Sequence, residues 1–235
     1  MASPMTVAIV QSSYIPWKGY FDLIRRADAF ILYDDRQYTR RDWRNRNRIK
    51  TPQGTQWLTI PVQVRGRYHQ RIDETLVSEP DWAARHWETL RHNYSAAPHF
   101  GRYADVLERT YAEIADEKRL SVVNRRLIEC LCDILGITTE LSWSSDYAVE
   151  GDRTESLVAL CEARDATTYL SGPSAREYLD EALFATAGIT VRYADYGGYP
   201  EYPQLYPPFV HQVTVLDLLF NVGPDAPQYL KSLGG

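Results

Sequence analysis

The sequence predicts an α/β fold: an open, mostly parallel, three-layer sheet with a helical insertion or cap. Three observations predict it. Short apolar runs rich in β-branched residues alternate with stretches of helical apolar spacing. The first 33 residues follow the order strand, turn, helix, strand, the sequence form of a βαβ unit in a parallel sheet. Residues 80–135 then carry three helical patterns in succession with no strand between them. A chain of 235 residues with 44% hydrophobic composition suffices for a single α/β domain over residues 1–235, with 80–135 as the insertion.

Thr6 to Val10 (TVAIV) reads as a buried strand, ended by the polar QSSY. In Gly19 to Ala27, Tyr20, Leu23, Ile24 and Ala27 share one helical face. Ala29 to Tyr33 is again strand-like, and Gln56 to Val64 is a strand with a kink or edge at Pro61. Helices are expected over Pro80–Tyr94, Tyr103–Asp116 and Ser121–Leu135, with Pro98 and Gly101 breaking the first link. The α/β rhythm resumes with strands near Thr138–Leu141, Thr167–Leu170 and Thr190–Tyr193, separated by helices at Arg153–Arg164 and Ala175–Thr186. Val215 to Asn221 is apolar enough for a buried helix. This is the pattern of Rossmann-like and nucleotidyltransferase-like sheets, whose ligands bind beyond the carboxyl ends of the strands. QSSYIPWKGY and DDRQYTRRDWRNRNRIK, which follow the first two strands, are therefore placed at the candidate site.

Charge and composition narrow the function classes. With 26 Lys and Arg against 31 Asp and Glu, the net charge of −5 supplies no global field for bulk nucleic acid or an anionic membrane. No apolar run approaches the roughly 20 residues of a membrane span. The N-terminus lacks a basic region followed by a long apolar stretch, so the chain reads as cytoplasmic. Three cysteines do not make a secreted disulfide framework. Cys161 reads as a core thiol. The five histidines show no metal-ligand spacing, and no metal site is expected. Walker A, G-x-S-x-G and Rossmann glycine fingerprints are absent, and no pattern names a cofactor.

The densest feature is Arg36 to Lys50, where seven basic residues meet only Asp42. Such a segment reads as a local anion funnel: Arg44 and Arg46 offer planar forks for phosphate or carboxylate, and Trp43 can stack on a ring. A solvated loop paired with the acidic remainder is the structural alternative. Asp34 and Asp35 follow the second strand, where a carboxylate can hold a divalent cation, accept a proton or bond a ribose hydroxyl, with a turn or an ion pair to the arginines as the structural alternative. Adjacent strand residues point to opposite faces, so at most one of the two is expected to face a ligand. In QSSYIPWKGY, Trp17 and Tyr20 flank a helix start and Gly19 permits close backbone approach. SGPSARE places Ser171, Gly172 and Arg176 at another strand end, with Ser174 and Glu177 at capping-box spacing; Thr214 and Asp217 share that spacing. His86, on the expected helix WAARHWETL, is a candidate acid or base.

The stretches VAIVQSSYIPWKGYFDLI, ADAFILYDDRQY, DWRNRNRIK, WLTIPV, YLSGPSAREYLD and FVHQVTVLDLLFNVGP, taken in order from Val7 to Pro224, resemble the WbqC-like proteins. That family is named from surface-polysaccharide gene clusters and also occurs in natural-product clusters. The resemblance implies an intracellular biosynthetic transferase acting on an activated sugar or acyl group. It carries over Gln11, Tyr14, Pro16, Trp17, Gly19, Tyr20, Asp34, Asp35, Gln37, Trp43, Asn45, Arg46, Ser171, Gly172, Asp217 and Asn221. Ser12, Arg36 and His211 depart from the family pattern, and Arg36 strengthens the anion reading. The arrangement around WKGY also resembles the nucleotidyltransferase superfamily, with Trp17 and Tyr20 where that superfamily has histidines.

The function these expectations compose is acyl or aminoacyl transfer to an amine. The substrate is small or carrier-bound and anionic, with an acyl-carrier protein as a possible partner. Arg44, Arg46 and Arg36 hold the anion, the aromatics position donor or acceptor, and Asp34, Asp35 or His86 takes the proton. Adenylyl transfer on a degenerate nucleotidyltransferase scaffold and a non-catalytic binding subunit are the alternatives.

Overall fold

The structure, a computed structural model, describes residues 4–149, 151 and 153–231. Five parallel strands form its main sheet: β1 (Thr6–Val10), β2 (Ala29–Leu32), β5 (Glu140–Trp143), β6 (Thr168–Ser171) and β7 (Thr190–Tyr193). A separate antiparallel hairpin joins β3 (Arg46–Thr51) to β4 (Gly54–Thr59). The main sheet has the order β5-β2-β1-β6-β7, so the chain runs outward from β1 on one side and then returns to run outward on the other. The reversal leaves a crevice between the carboxyl ends of β1 and β6, the place where open parallel sheets take ligands.

Alternation along the strands makes three layers. Val7, Ile9, Ala29 and Ile31 pack on one face with Leu157, Leu160 and Cys161 of α5 (Arg153–Glu162) and Phe184 of α6 (Glu181–Thr186). Ala8, Phe30 and Leu32 point to the other face, where Phe21 and Ile24 of α1 (Lys18–Arg25) join the larger core. That core continues through α2 (Trp82–Tyr94), α3 (Phe100–Glu113), α4 (Leu120–Leu135) and α7 (Val215–Val222). All eight residues of α7 are buried, as its apolar run requires. Cys161 is fully buried in the smaller core, and burial pushes its thiol up to about 12.

Several expectations are corrected by this geometry. The segment after β2, in which no strand was expected, contains β3 at Arg46–Thr51. Asn47, Ile49, Lys50 and Thr51 are its buried residues, which hides the apolar alternation a strand normally shows. The strand expected to reach Val64 ends at Thr59, before Pro61. Gly101 does not break the chain but lies in the first turn of α3. The helix expected over Ala175–Thr186 is split into a 3-10 turn (Pro173–Glu177) and α6. Ser174 and Glu177 make no capping box: Gly172 occupies the cap of the 3-10 turn, and Asp180 caps α6 by accepting from the Ala182 amide. Thr214 does cap α7 through the Leu216 amide, whereas Asp217 turns into the core.

Candidate functional site

Two clefts open side by side at the carboxyl edge of the sheet. Cleft one, about 710 Å³, lies at the reversal point: Val10 and Gln11 enter from β1, and Ser171 and Gly172 from β6. Arg36, Gln37, Thr39 and Asp42 close it from the segment after β2. Its lining also includes the rings of Tyr33, Tyr169, Tyr178 and Tyr196. Cleft two, about 730 Å³, is lined by Trp17, Tyr20, Trp43 and Arg44 together with Tyr199 and His211. Val10, Ser174 and Tyr196 line both, so the two spaces share a wall.

The loop entering α1 shapes cleft two. Ile15 adopts a positive φ of 34°, a conformation that a β-branched residue holds only when its surroundings impose it. Asn47 imposes it by donating to the carbonyls of both Tyr14 and Ile15, at 3.1 and 2.9 Å. The Val215 amide donates to Pro16 O at 2.8 Å and fixes the far side. Trp17 is thereby set edge-on against Tyr196 and Tyr199, with ring centroids at 5.2 and 5.5 Å. Arg44 extends under this loop and donates to Ser12 O at 2.9 Å; its Nε lies 3.7 Å from Asp42.

Asp42 stands at the join of the segments that build both clefts. Its carboxylate accepts from the Thr39 hydroxyl at 2.6 Å and from the Trp43 amide at 2.7 Å. Burial alone would raise its pKa, but these bonds and the charges of Arg44 and Arg46 hold it below the usual carboxylate value. Arg36 stacks over the Tyr33 ring at 4.4 Å, with Asp35 3.6 Å from its Nε.

Of the residues the sequence singled out, Gln11, Gln37, Ser171 and Gly172 line cleft one, and Trp17, Tyr20, Trp43 and Arg44 line cleft two. Gly19 lies beneath the Trp17 indole. Neither of the paired aspartates is among the residues lining either cleft, and the two side chains have different partners. Asp34 is buried against the Ser12 amide at 2.8 Å, and burial pushes its carboxyl up to about 6. Asp35 is partly exposed and accepts from the Ser144 hydroxyl at 2.8 Å.

The other candidates lie elsewhere. His86 is among neither set of lining residues: its Nδ1 meets the Tyr14 hydroxyl at 2.7 Å, which in turn meets that of Tyr111 at 2.7 Å. Burial lowers the His86 pKa to about 4 and keeps the ring neutral. Tyr14 is therefore also an interior residue. Asn45 donates to Ile60 O inside the fold. Arg46 stacks on Trp57 at 4.1 Å, outside the clefts, and Arg176 on Tyr193 at 4.5 Å.

Sequence reading missed the buried network behind cleft two. Asp217 accepts from Tyr94 at 2.9 Å, from Tyr202 at 2.6 Å and from Gln204 at 2.8 Å. Lys50 donates to Pro208 O and Lys18 to Pro200 O. Lys18 also faces the Tyr199 and Tyr202 rings at 5.2 and 5.1 Å, and burial lowers its pKa to about 8. These bonds fasten the Tyr/Pro-rich segment whose Tyr199 and His211 line cleft two. The signal available beforehand was that segment's density of Tyr beside Pro, without the partners that give it a shape.

Among the described residues, no group of three or more His, Cys, Asp or Glu side chains converges as a metal site requires, and no helix is long and apolar enough to cross a membrane. No solved structure gives a significant match to the chain. Uncharacterized protein Rv1507c of Mycobacterium tuberculosis is 56% identical over 225 residues, covering 96% of this chain and 97% of that protein. The family model for the WbqC-like proteins matches residues 11–229, which include every residue named above from both clefts except Val10. The chain belongs to the WbqC-like protein family.

Proposed function

We propose that the protein is a two-substrate biosynthetic transferase that moves an acyl or aminoacyl group from an activated donor to an amine. The observation that carries this reading is the pair of clefts with a common wall at the carboxyl edge of the sheet. Two substrates held in adjoining spaces meet without diffusion, which is a large part of what a transferase contributes to a bimolecular step.

In this reading the donor occupies cleft two, with Arg44 on its phosphate or other anionic group and its planar part among Trp17, Tyr20 and Trp43. The acceptor amine occupies cleft one, which supplies phenols, amides, a carboxylate and, for an anionic group elsewhere on the acceptor, the guanidinium of Arg36. Asp42 is the proton acceptor in this reading, since it is the carboxylate that lines cleft one. Asp35 orients Arg36, and Asp34 positions the backbone after β1. His86 belongs to the Tyr14–Tyr111 network and has no part in proton transfer. The amine nitrogen attacks the donor carbonyl, the new C–N bond forms, and the bond to the leaving group breaks.

The test is thermal shift with activated acyl donors and amines added singly and together. Each class should stabilise the protein alone, and the pair should give product detectable by mass. Asp42→Asn should keep both shifts and lose product; unchanged product in that variant would remove Asp42 from its role. Adenylyl transfer is the second reading, favoured by the position of cleft one at the reversal of strand order. It requires a shift with a nucleoside triphosphate and magnesium.

A further inference from the structure

One face of the β3–β4 hairpin has no part in either core. Arg48 and Trp57 are directly paired across the two strands, as are Arg46 and Thr59, so Arg46, Arg48 and Trp57 project from the same side. Trp43 and Trp57 stand 5.3 Å apart, and both are about 40% exposed. Arg46 lies over Trp57 at 4.1 Å, and Arg48 sits beside both rings, 5.5 Å from Trp57 and 5.8 Å from Trp43. The surface continues through Arg46, which donates to Arg41 O, and through Arg40, which lies over the exposed ring of Tyr68 at 5.4 Å. Its other end runs into cleft two, because Trp43 is a lining residue of that cleft and Arg48 is held by Gln212, another of them.

Charge along this stretch is predominantly basic. Between residues 36 and 71 ten Lys and Arg accompany Asp42 alone, and no acidic residue occurs from 43 to 71, in a chain of net charge −5. On the face itself Arg40, Arg41, Arg46 and Arg48 stand among exposed rings, and the hairpin carries no acidic residue, an arrangement that suits a polyanion whose bases stack. The acidic remainder of the molecule opposes a long duplex and confines the contact to a short single strand.

We propose that this face binds the single-stranded 3′ end of an RNA and leads its terminal nucleoside, carrying an aminoacyl ester, into cleft two. The donor half of this inference rests on the transferase reading above. Arg46 and Arg48 meet backbone phosphates, Trp43 and Trp57 stack on successive bases, and Arg44 receives the last phosphate. The amine in cleft one attacks the ester carbonyl. A C–N bond forms, the C–O bond to the terminal ribose breaks, and the ribose oxygen takes up the proton that the amine gives to Asp42. No further reactant is needed.

The experiment is anisotropy of a labelled single-stranded RNA of about 12 nucleotides ending in CCA, with tryptophan emission recorded in the same titration. Saturable binding is expected, with quenching of tryptophan and affinity falling steeply between about 50 and 200 mM salt. Trp57→Ala should weaken binding about tenfold and Trp43→Ala/Trp57→Ala further, with melting temperature unchanged for the exposed Trp57. Arg46→Gln/Arg48→Gln should lower the salt slope by about 2. Absence of binding at the lower salt, or binding indifferent to all these substitutions, would overturn the proposal. So would saturable binding of an acidic acyl-carrier protein to this face with none of the RNA. The two readings fail separately. RNA binding without transfer from the charged RNA removes the transferase and keeps the platform; transfer from a small thioester without RNA binding does the reverse.

Discussion

Gly19 lies so close beneath Trp17 that a β-carbon built on it would fall 2.2 Å from the indole Cζ2. The glycine is therefore required by the ring that walls cleft two. Gly19→Ala should gain about 1 kcal/mol of helix propensity and lose about 1–3 kcal/mol to displacement of the indole. Net stability should fall by up to about 2 kcal/mol. Ligand stabilisation in cleft two should be lost, because Trp17 can no longer pack on Tyr196 and Tyr199. Parallel melting curves with and without donor check both halves.

Asp34 and His86 give opposite pH signatures. Burial raises the Asp34 carboxyl to about 6, so its ionisation opposes folding and stability falls as pH rises from about 4 through 6. Asp34→Asn keeps an acceptor for the Ser12 amide and removes that cost. The variant should gain on the wild type across this window, by up to about 2–3 kcal/mol at neutral pH. His86 is lowered to about 4, so its contribution is complete above the unfolded value near 6.5 and is lost as pH falls through about 4. His86→Gln should therefore be most destabilised, relative to wild type, near pH 7. Denaturant unfolding at intervals from pH 4 to 8 separates the two.

The parallel sheet was legible because its strands are apolar on both faces, as in TVAIV and AFIL, and because α1 and α7 carry clear apolar patterns. β3 was not, since its interior residues include Asn47 and Lys50, whose partners Tyr14, Ile15 and Pro208 come from distant parts of the chain. Asp180, rather than the Ser174–Glu177 pair, sets the start of α6 because its side chain reaches the helix amide. At the clefts, strand ends pointed to Gln11 and Ser171, and the charge run to Arg44. Charge alone could not separate Arg44, which enters a cleft, from Arg46, which stacks on the hairpin surface. The place of His86 was not legible, because a polar residue on a helix gives no sign of Tyr14, 72 positions earlier, whose hydroxyl meets its ring.

Asp217 holds three donors from two distant segments. Asp217→Ala leaves the Tyr94 and Tyr202 hydroxyls and the Gln204 amide without their acceptor, at about 1–3 kcal/mol for each group left unsatisfied. A loss of roughly 3 kcal/mol or more is expected, together with faster proteolysis of the segment around Gln204. Asp217→Asn should recover part of both. Chemical denaturation and limited proteolysis measure them independently.

Arg36 faces cleft one and Arg44 faces cleft two, and the two-substrate reading stands on that division. The decisive measurement is thermal shift of the wild type, Arg36→Ala and Arg44→Ala against activated acyl donors and amine acceptors added separately. Arg44→Ala should lose the shift from donors and keep that from acceptors, and Arg36→Ala should do the opposite. A single ligand class whose shift is abolished by both variants, with no second class binding at all, would contradict the two-substrate site and leave one continuous pocket.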